Sequence, residues 1–231
     1  MIFGVQAVIN DATKPCWFDE VRVWADASAT RFMYHETVAS STGKNWIVKL
    51  GSCWGGWDSN GNNPSYHSPG GYRIMRDYQI HFSGRDYTLP NFGDGLSIKE
   101  RWNKLMMTSY RYLDITQCSD IGIVANWATV SENDVDGSLL PQRTSFSGSG
   151  TPQYEFGSEA SRTMWRVAFD AAVYPCESES ASNFLAPIHN RLAGYFDPSA
   201  ATGSTWPEDT LTNCKAFDEQ PEAIIPMDDW I

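Results

Sequence analysis

Apolar residues recur at helical spacing in several long stretches of the chain. In DEVRVWADASATRFMYHETV (residues 19–38) they fall at Val23, Ala27 and Phe32, with charged residues on the other face. A second helical pattern starts at about Gly71, after a loop rich in Gly, Asn and Ser. A period near 3.6 residues predicts amphipathic helices in both stretches.

The strongest helical pattern is SIKERWNKLMMTSYRYLDITQ, residues 97–117. Ser97 and Glu100 form a capping-box pair at its start, which predicts where the helix begins. One apolar stripe runs along the whole stretch and predicts the face turned to the core. Its members are Ile98, Trp102, Leu105, Met106, Tyr110 and Leu113.

The second half of the chain continues with helices and loops. Residues 121–153 are polar and predict a long loop, followed by a helix that opens at Ser158 and by a shorter helix over 181–196. The buried face of the helix from Ser158 is predicted at Ala160, Met164, Val167, Ala168 and Ala171. No stretch alternates strongly enough to predict a sheet, so the expected fold class is all-α, in one domain over 1–231.

The charge of the chain argues against polyanionic partners. Lys and Arg number 17 and Asp and Glu 28, a formal charge of -11, which disfavours nucleic acid and anionic membrane surfaces. No apolar run is long enough to span a membrane. Aromatic residues make up 13%, with ten Trp, and flat rings suit the apolar faces of pyranose sugars. Composition therefore points weakly to a carbohydrate partner.

The cysteines do not predict a metal site. Cys16, Cys53, Cys118, Cys176 and Cys214 are widely spaced, without the short spacings typical of zinc ligands. Neither a metal nor another cofactor is expected, and whether any of the five form disulfides is left open.

An acidic and a basic residue open the predicted helix at Ser158. Glu159 falls in the first turn, where free N–H groups and the helix dipole favour an ionised carboxylate, and Arg162 lies three residues on, on the same face. A carboxylate held in its charged form can accept a proton from water, which is the work of a general base. The pair also fits ordinary helix capping, and its residues alone favour capping.

Three ordered segments of this sequence resemble glycoside hydrolase family 8. The loop GSCWGGWDSNGNNPSYHSPGGYRI is similar to the family's Trp-Gly-Gly and Asn-Pro-Ser-Tyr region, and IGIVANWATV to its Gly-Leu-Val-Pro-Asp-Trp turn. The third segment, GSEASRTMWRVAFDAAVY, is similar to the signature Tyr-Asp-Ala-Ser-Arg-x-x-Trp-Arg. The resemblance covers roughly residues 1–200 and implies an (α/α)6 barrel and an inverting endo-glycanase activity.

The resemblance also implies roles for individual residues. Glu159 stands where the family's general base is usually Asp, Arg162 matches the arginine that orients the base, and Tyr66 the tyrosine that holds the catalytic water. For sugar contacts, the matching loop supplies Trp54, with Asn63 and Trp57 beside it.

This sequence departs from the family pattern in several places. Glu159 is one methylene longer than Asp, so Glu155 and Glu132 remain alternative bases, and Asn126 replaces a family Asp. The helical pattern places Trp165 in the core. The family's proton-donor stretch, Ser-Glu-Gly-x-x-Tyr-Gly, has no match, and MIFGVQAVI begins without an N-cap, so we expect an incomplete barrel.

The expected function is endo-hydrolysis of a β-1,4-linked polysaccharide, with cellulose or mixed-linkage β-glucan favoured over xylan and chitosan. The alternative is an inactive carbohydrate-binding remnant of the same fold. A secreted or extracytoplasmic location is inferred from polymer size alone, since the chain shows no signal peptide.

Overall fold

The computed structural model describes residues 1–58, 61–117, 122–142 and 158–193, without the side chains of 141, 142, 158 and 191–193. Helices dominate this part of the chain, as the apolar periodicity predicts. They are α1 Ile2–Val8, α2 Phe18–His35, α3 Pro69–Ser83, α4 Ile98–Thr116, α5 Ser158–Val173 and α6 Glu179–Ala193. A short 3₁₀ helix, Pro64–Tyr66, precedes α3 and is called the 3₁₀ turn below.

The mostly helical structure is consistent with the predicted all-α class, but two short hairpins that the sequence did not predict also occur. Strands β1 Thr37–Ala39 and β2 Trp46–Val48 pair antiparallel, with Val38 opposite Ile47. Strands β3 Thr129–Glu132 and β4 Leu139–Gln142 form a second antiparallel pair, inside the stretch predicted to be a loop. All three residues of β2 are buried, so the strand has no alternation of polar and apolar positions to detect.

Helix α4 lies at the centre of the fold and confirms its predicted face. All six apolar positions of its stripe are buried, and the Ser97 and Glu100 capping box is present in full. Helices α3 and α6 and the strands β2 and β4 pack around it. At the middle of this core, the Trp102 indole N–H donates to Gln79 Oε1 at 2.8 Å, so the largest buried ring keeps its hydrogen bond.

The buried face of α2 differs from the prediction. Val23 and Ala27 are exposed and Phe32 is half-buried against the core, whereas the buried residues of the helix are Phe18, Ala25, Ala29 and Met33. Val23 and Ala27 are four residues apart, as are Ala25 and Ala29, so a helix of small and apolar residues offers two competing stripes. In α5, Ala168 is also exposed, whereas Ala160 and Val167 are buried as predicted; the predicted extension of α6 to 196 lies beyond the described residues.

Helix α3 packs near its start against the later part of α5, and a glycine allows the contact. A Cβ added to Gly70 would lie 2.9 Å from the Asp170 Cα, closer than packed atoms approach. This contact fixes α5 against α3, and α3 directly follows the 3₁₀ turn. The start of α5 and the 3₁₀ turn are thereby held side by side.

No described helix is both long enough and apolar enough to cross a lipid bilayer.

Candidate active site

The Glu159 carboxylate accepts hydrogen bonds from two directions at the start of α5. Arg162 Nη1 donates to Glu159 Oε2 at 3.0 Å from the next turn of the same helix. Across the helix boundary, Asn63 Nδ2 and Ser65 Oγ donate to the same oxygen at 3.2 and 3.4 Å. Within the described residues Glu159 Oε1 accepts no hydrogen bond, and the side chain is 28% exposed. One carboxylate oxygen is held and the other can accept a proton.

The 3₁₀ turn presents its donors to Glu159 because Asn63 caps it. Asn63 Oδ1 accepts from the Ser65 backbone N–H at 2.8 Å, in the usual N-cap manner. With the side-chain oxygen engaged in the cap, the Nδ2 group faces Glu159. Asn63 is fully buried and contacts the carboxylate, and its sugar contact stays a prediction.

Two arginines of α5 lie near Glu159. Arg162 is 44% exposed, so its ion pair with Glu159 is largely solvated. Arg166, one turn further on, donates from Nη1 to the Ser65 carbonyl oxygen and thereby ties α5 to the 3₁₀ turn. Burial lowers the pKa of Arg166, and the charge of Arg162 acts in the same direction. The Glu159 carboxylate therefore has two cationic side chains close to it.

A third support reaches α5 from the segment before β3. Asn126 Oδ1 accepts from the Ala160 backbone N–H at 2.9 Å, and Ala160 directly follows Glu159. The bond satisfies one of the free N–H groups in the first turn. An amide can fill this position without adding a second negative charge beside Glu159, which gives a physical reason for Asn in place of Asp.

Tyr66 and Trp54 lie on the polypeptide that carries the donors to Glu159. Tyr66 ends the 3₁₀ turn, is half-buried, and lies close enough to Arg166 to raise the pKa of that guanidinium slightly against the effect of burial. Trp54 is 48% exposed. A Cβ on Gly51 would lie 2.6 Å from the Trp54 indole nitrogen, so a glycine at 51 is required for the ring to adopt this position. Nearly half of the Trp54 surface is therefore open to solvent.

Two other tryptophans differ from their expected settings. Trp57 is buried in the core, and its indole N–H donates to the Val38 carbonyl oxygen at 3.2 Å, which favours a packing role over a sugar contact. Trp165, predicted to be in the core, is 59% exposed, so that prediction is wrong. Its ring lies under the Arg166 guanidinium, at 5.5 Å. A tryptophan on an amphipathic helix is usually buried, and the cation offers this one a partner at the surface instead.

Of the two alternative bases, only Glu132 lies within the described residues. Glu155 lies outside the described residues. Glu132 accepts hydrogen bonds at both carboxylate oxygens, from Thr42 Oγ1 at 2.7 Å and from Asn45 Nδ2. Burial would raise the pKa of Glu132, but hydrogen bonds from Thr42, Ser40 and Asn45 lower it below its ordinary value. Glu132 thus joins the two hairpins, and its oxygens are engaged.

No metal cluster occurs in the described ranges: they contain no group of three or more His, Cys, Asp or Glu side chains that could hold an ion. Cys16, Cys53 and Cys176 are free thiols at the surface. Cys118 and Cys214 lie outside the described residues.

Sequence reasoning missed three residues of this site, although each stands in a segment that was singled out. Ser65 is the third residue of NPSY, Arg166 closes SRTMWR at i+7 from Glu159, and Asn126 was noted only as a departure. The i+7 spacing places Arg166 on the face of Glu159 and is a usable signal. The contacts of Ser65 and Asn126 join segments distant in sequence, which no local pattern reveals.

Two curated proteins are similar to this chain over most of its length. It is 30% identical over 161 residues to endoglucanase C of Ruminiclostridium cellulolyticum and to endoglucanase 2 of Ruminiclostridium josui. Each alignment covers 68% of this chain and 27% of the relative, so the match spans about a quarter of the relatives' length. These matches relate the chain distantly to endoglucanases. No family model matches the chain, and no solved structure does either.

Proposed function

We propose that this chain belongs to an endo-acting hydrolase of β-1,4-linked glucan, of the glycoside hydrolase family 8 type, in which Glu159 is the general base. The observation that carries the proposal is the geometry of its carboxylate. Three donors hold Oε2, whereas Oε1 accepts nothing from the described residues and is free to bind a water. A base needs this combination of a fixed position and an open oxygen.

In the proposed reaction Glu159 acts on water. The water oxygen bonds to the anomeric carbon as the glycosidic C–O bond breaks, and a water proton passes to Glu159 Oε1. A general acid protonates the leaving oxygen from the other face. Inversion requires about 6.5–9.5 Å between the two carboxyl groups so that the water fits. The proposal assigns the base only, because the family's proton-donor motif has no match in this sequence.

The distant matches support the reaction class. Both relatives are named endoglucanases, and their aligned region covers two thirds of this chain. On the basis of that relation we propose a glucan substrate for this chain. An extracytoplasmic location, where such polymers occur, is part of the same proposal. The mostly helical fold is compatible with the (α/α)6 barrel of family 8, which we propose as the fold of the complete enzyme.

We propose three further roles. Arg162 orients the Glu159 carboxylate, and the Tyr66 hydroxyl binds the catalytic water. Trp54 stacks on a sugar ring, because it is the aromatic residue of the 51–58 loop that keeps nearly half its surface exposed. Asn63 acts as a support for Glu159 rather than as a sugar contact, and Trp57 is left out of the proposed subsite.

A second candidate function is glycan binding without cleavage. The observation that favours it is the missing match to the proton-donor motif, since a base without an acid cannot assist departure of the leaving group. Trp54 would then hold a glucan that is not hydrolysed.

The test is reducing-end release from lichenan, carboxymethyl cellulose, xylan and chitosan by wild type, Glu159→Gln and Glu132→Gln. We expect Glu159→Gln to lower kcat by about 10²–10⁴-fold, since a positioned base contributes that much. Glu132→Gln, the matched control, should keep kcat within about threefold because its oxygens are engaged elsewhere.

Three outcomes are informative. Inverted product that disappears in Glu159→Gln supports the proposal and requires an acid in this chain. Equal activity in wild type and Glu159→Gln contradicts it. Binding of cello-oligosaccharides that is lost in Trp54→Ala, with no hydrolysis by any variant, supports the binding function instead.

A further inference from the structure

The amide of Asn62 has its orientation set by two carbonyl groups. Its Nδ2 donates to the Val48 oxygen at 3.1 Å and to the Gly56 oxygen at 3.3 Å, so its Oδ1 must face the opposite way. There Oδ1 accepts from the Asn63 backbone N–H at 2.7 Å and lies 3.0 Å from His67 Nε2. Both groups at Oδ1 are therefore donors.

This arrangement assigns the tautomer of His67. Because Asn62 Oδ1 is an acceptor, the proton is on Nε2, and Nδ1 accepts from the Ser109 hydroxyl at 2.8 Å. The ring is fully buried and stacks on Tyr112 with centroids 4.4 Å apart. Burial, with a smaller effect from the Arg166 charge, lowers the pKa of His67 to about 3, so the ring is neutral.

A path of hydrogen bonds connects the His67 ring to the Asn63 side chain, which donates to Glu159. His67 holds Asn62 Oδ1, Asn62 Oδ1 holds the Asn63 backbone, and the Asn63 side chain donates to Glu159. No step between His67 and the Asn63 side chain needs a charged group.

A second path reaches the start of α5 from the same ring. Tyr112, stacked on His67, donates from its hydroxyl to the Ala128 backbone carbonyl oxygen at 2.8 Å. The Ala128 backbone N–H in turn donates to the Asn62 backbone carbonyl oxygen at 3.1 Å. Ala128 is two residues from Asn126, which caps Ala160. His67 thus lies between the Asn63 contact with Glu159 and the Asn126 contact with Ala160.

We propose that His67, as the neutral Nε2–H tautomer, is a positioning residue that fixes the Asn62 and Asn63 amides and so aims the Asn63 donor at Glu159. The inference rests on the proposed role of Glu159 as base. It adds a residue to that site which touches neither substrate nor the carboxylate.

The first test needs no activity. In ¹⁵N NMR of the wild-type chain, His67 Nε2 should carry the proton and Nδ1 should be unprotonated throughout the neutral range. The Asn63 side-chain amide signals should shift in Glu159→Gln. They should stay at the wild-type position in His67→Gln, which retains an N–H donor, and change in His67→Leu, which has none.

The second test uses hydrolysis of the best substrate. We expect His67→Leu to lower kcat about 10- to 100-fold with little change in KM, and His67→Gln to recover most of the loss. Combined with Asn63→Ala, His67→Leu should cost little more than Asn63→Ala alone, because both act through one donor. Tyr78→Phe, which removes a remote hydrogen bond to Arg22, is the control for a loss of stability.

Each result decides a different question. A proton on Nδ1, or an Asn63 amide signal that His67→Leu leaves unchanged, overturns the positioning role even if Glu159 is the base. Additive losses in the double variant also overturn it. An inactive wild type with the expected tautomer and amide shifts refutes only the proposed catalysis and leaves the positioning of Glu159 supported.

Discussion

Asn63 performs two tasks with the two ends of one amide, and both depend on its chemical identity. The oxygen caps the 3₁₀ turn and the nitrogen donates to Glu159. An aspartate has nearly the same shape and keeps the cap, but it places an oxygen where the nitrogen faced the carboxylate. The two tasks can therefore be separated by a single substitution.

We expect Asn63→Asp to lower the free energy of unfolding by about 2–4 kcal/mol near neutral pH, because two carboxylates then meet in a buried setting. The loss should shrink towards about pH 4, since protonation removes the repulsion. Urea unfolding at both pH values measures it. Asn63→Ala, the matched control, adds no charge, so its loss should vary little with pH; a parallel pH dependence of the two variants would contradict the assignment of Nδ2 to Glu159.

For individual residues, the sequence predicted which ones belong to the site better than it predicted their contacts. The Glu159 and Arg162 pair is one helical turn apart, so their ion pair follows from local spacing. The Asn63 contact joins residues 96 apart in sequence and depends on how α3 and α5 pack together. Only the fold determines that packing.

Helix α6 rests against the segment after α4 through an approach that only glycine permits. Gly122 has φ of +80°, and a Cβ there would lie 2.3 Å from the Ile188 nitrogen of α6. Beside it, Gln117 Nε2 donates to the Phe184 oxygen at 2.7 Å and to the Gly122 oxygen at 2.8 Å. A side chain at 122 would push α6 away from these bonds.

Gly122→Ala should therefore lower the free energy of unfolding by more than backbone strain alone would. We expect a loss of about 3 kcal/mol or more in the free energy of unfolding, from the left-handed backbone and the contact with α6 together. Gly84→Ala is the matched control: φ is +69° but nothing lies within 4 Å, so about 1–2 kcal/mol is expected. Equal losses in denaturant unfolding would show that α6 does not press on this glycine.

The elements differ in how far they could be predicted. Helix α4 has a long apolar stripe and a capping box, which fix its face and its start. The hairpins could not be predicted because their strands have only three or four residues, too few for alternation to stand out. In α2, two stripes of similar apolarity compete, and packing against α3 selects the one with Ala25 and Ala29.

At the scale of the whole molecule, a buried ionic contact joins three helices at the end of α5 that is remote from Glu159. Asp170 is fully buried, pairs with Arg73 Nε at 2.9 Å, and accepts from the Tyr110 hydroxyl. Three helices, α3, α4 and α5, thus meet at one carboxylate. Its removal would leave a buried guanidinium without its nearest counter-charge.

We expect Asp170→Asn to lower the free energy of unfolding by about 3–5 kcal/mol, the usual cost of removing one partner of a buried ion pair. Glu177→Gln should cost less than about 1 kcal/mol, because Glu177 pairs with the same Arg73 but is 52% exposed. Thermal or denaturant unfolding compares the two variants. Similar losses would mean that burial of Asp170 does not set the strength of the contact.

His67 also makes the stability of the whole molecule depend on pH. Its pKa is about 3 in the folded chain against an ordinary value of 6.5, so below about pH 6 the unfolded chain binds a proton that the folded chain excludes. The unfolded state then binds more protons, and stability must rise with pH across this window. The His67 contribution is complete above pH 6.5 and is lost as the pH falls towards 3.

The expected slope is about 1.4 kcal/mol per pH unit between roughly pH 6 and pH 4, added to the slope from the carboxyl groups. Denaturant unfolding at several pH values measures the total, and His67→Leu should remove the histidine share. The exposed His81 serves as control, because His81→Gln should leave the slope of wild type unchanged. If His67→Leu keeps the wild-type slope, the ring is protonated in the folded chain, and the neutral tautomer that aims Asn63 at Glu159 must be abandoned.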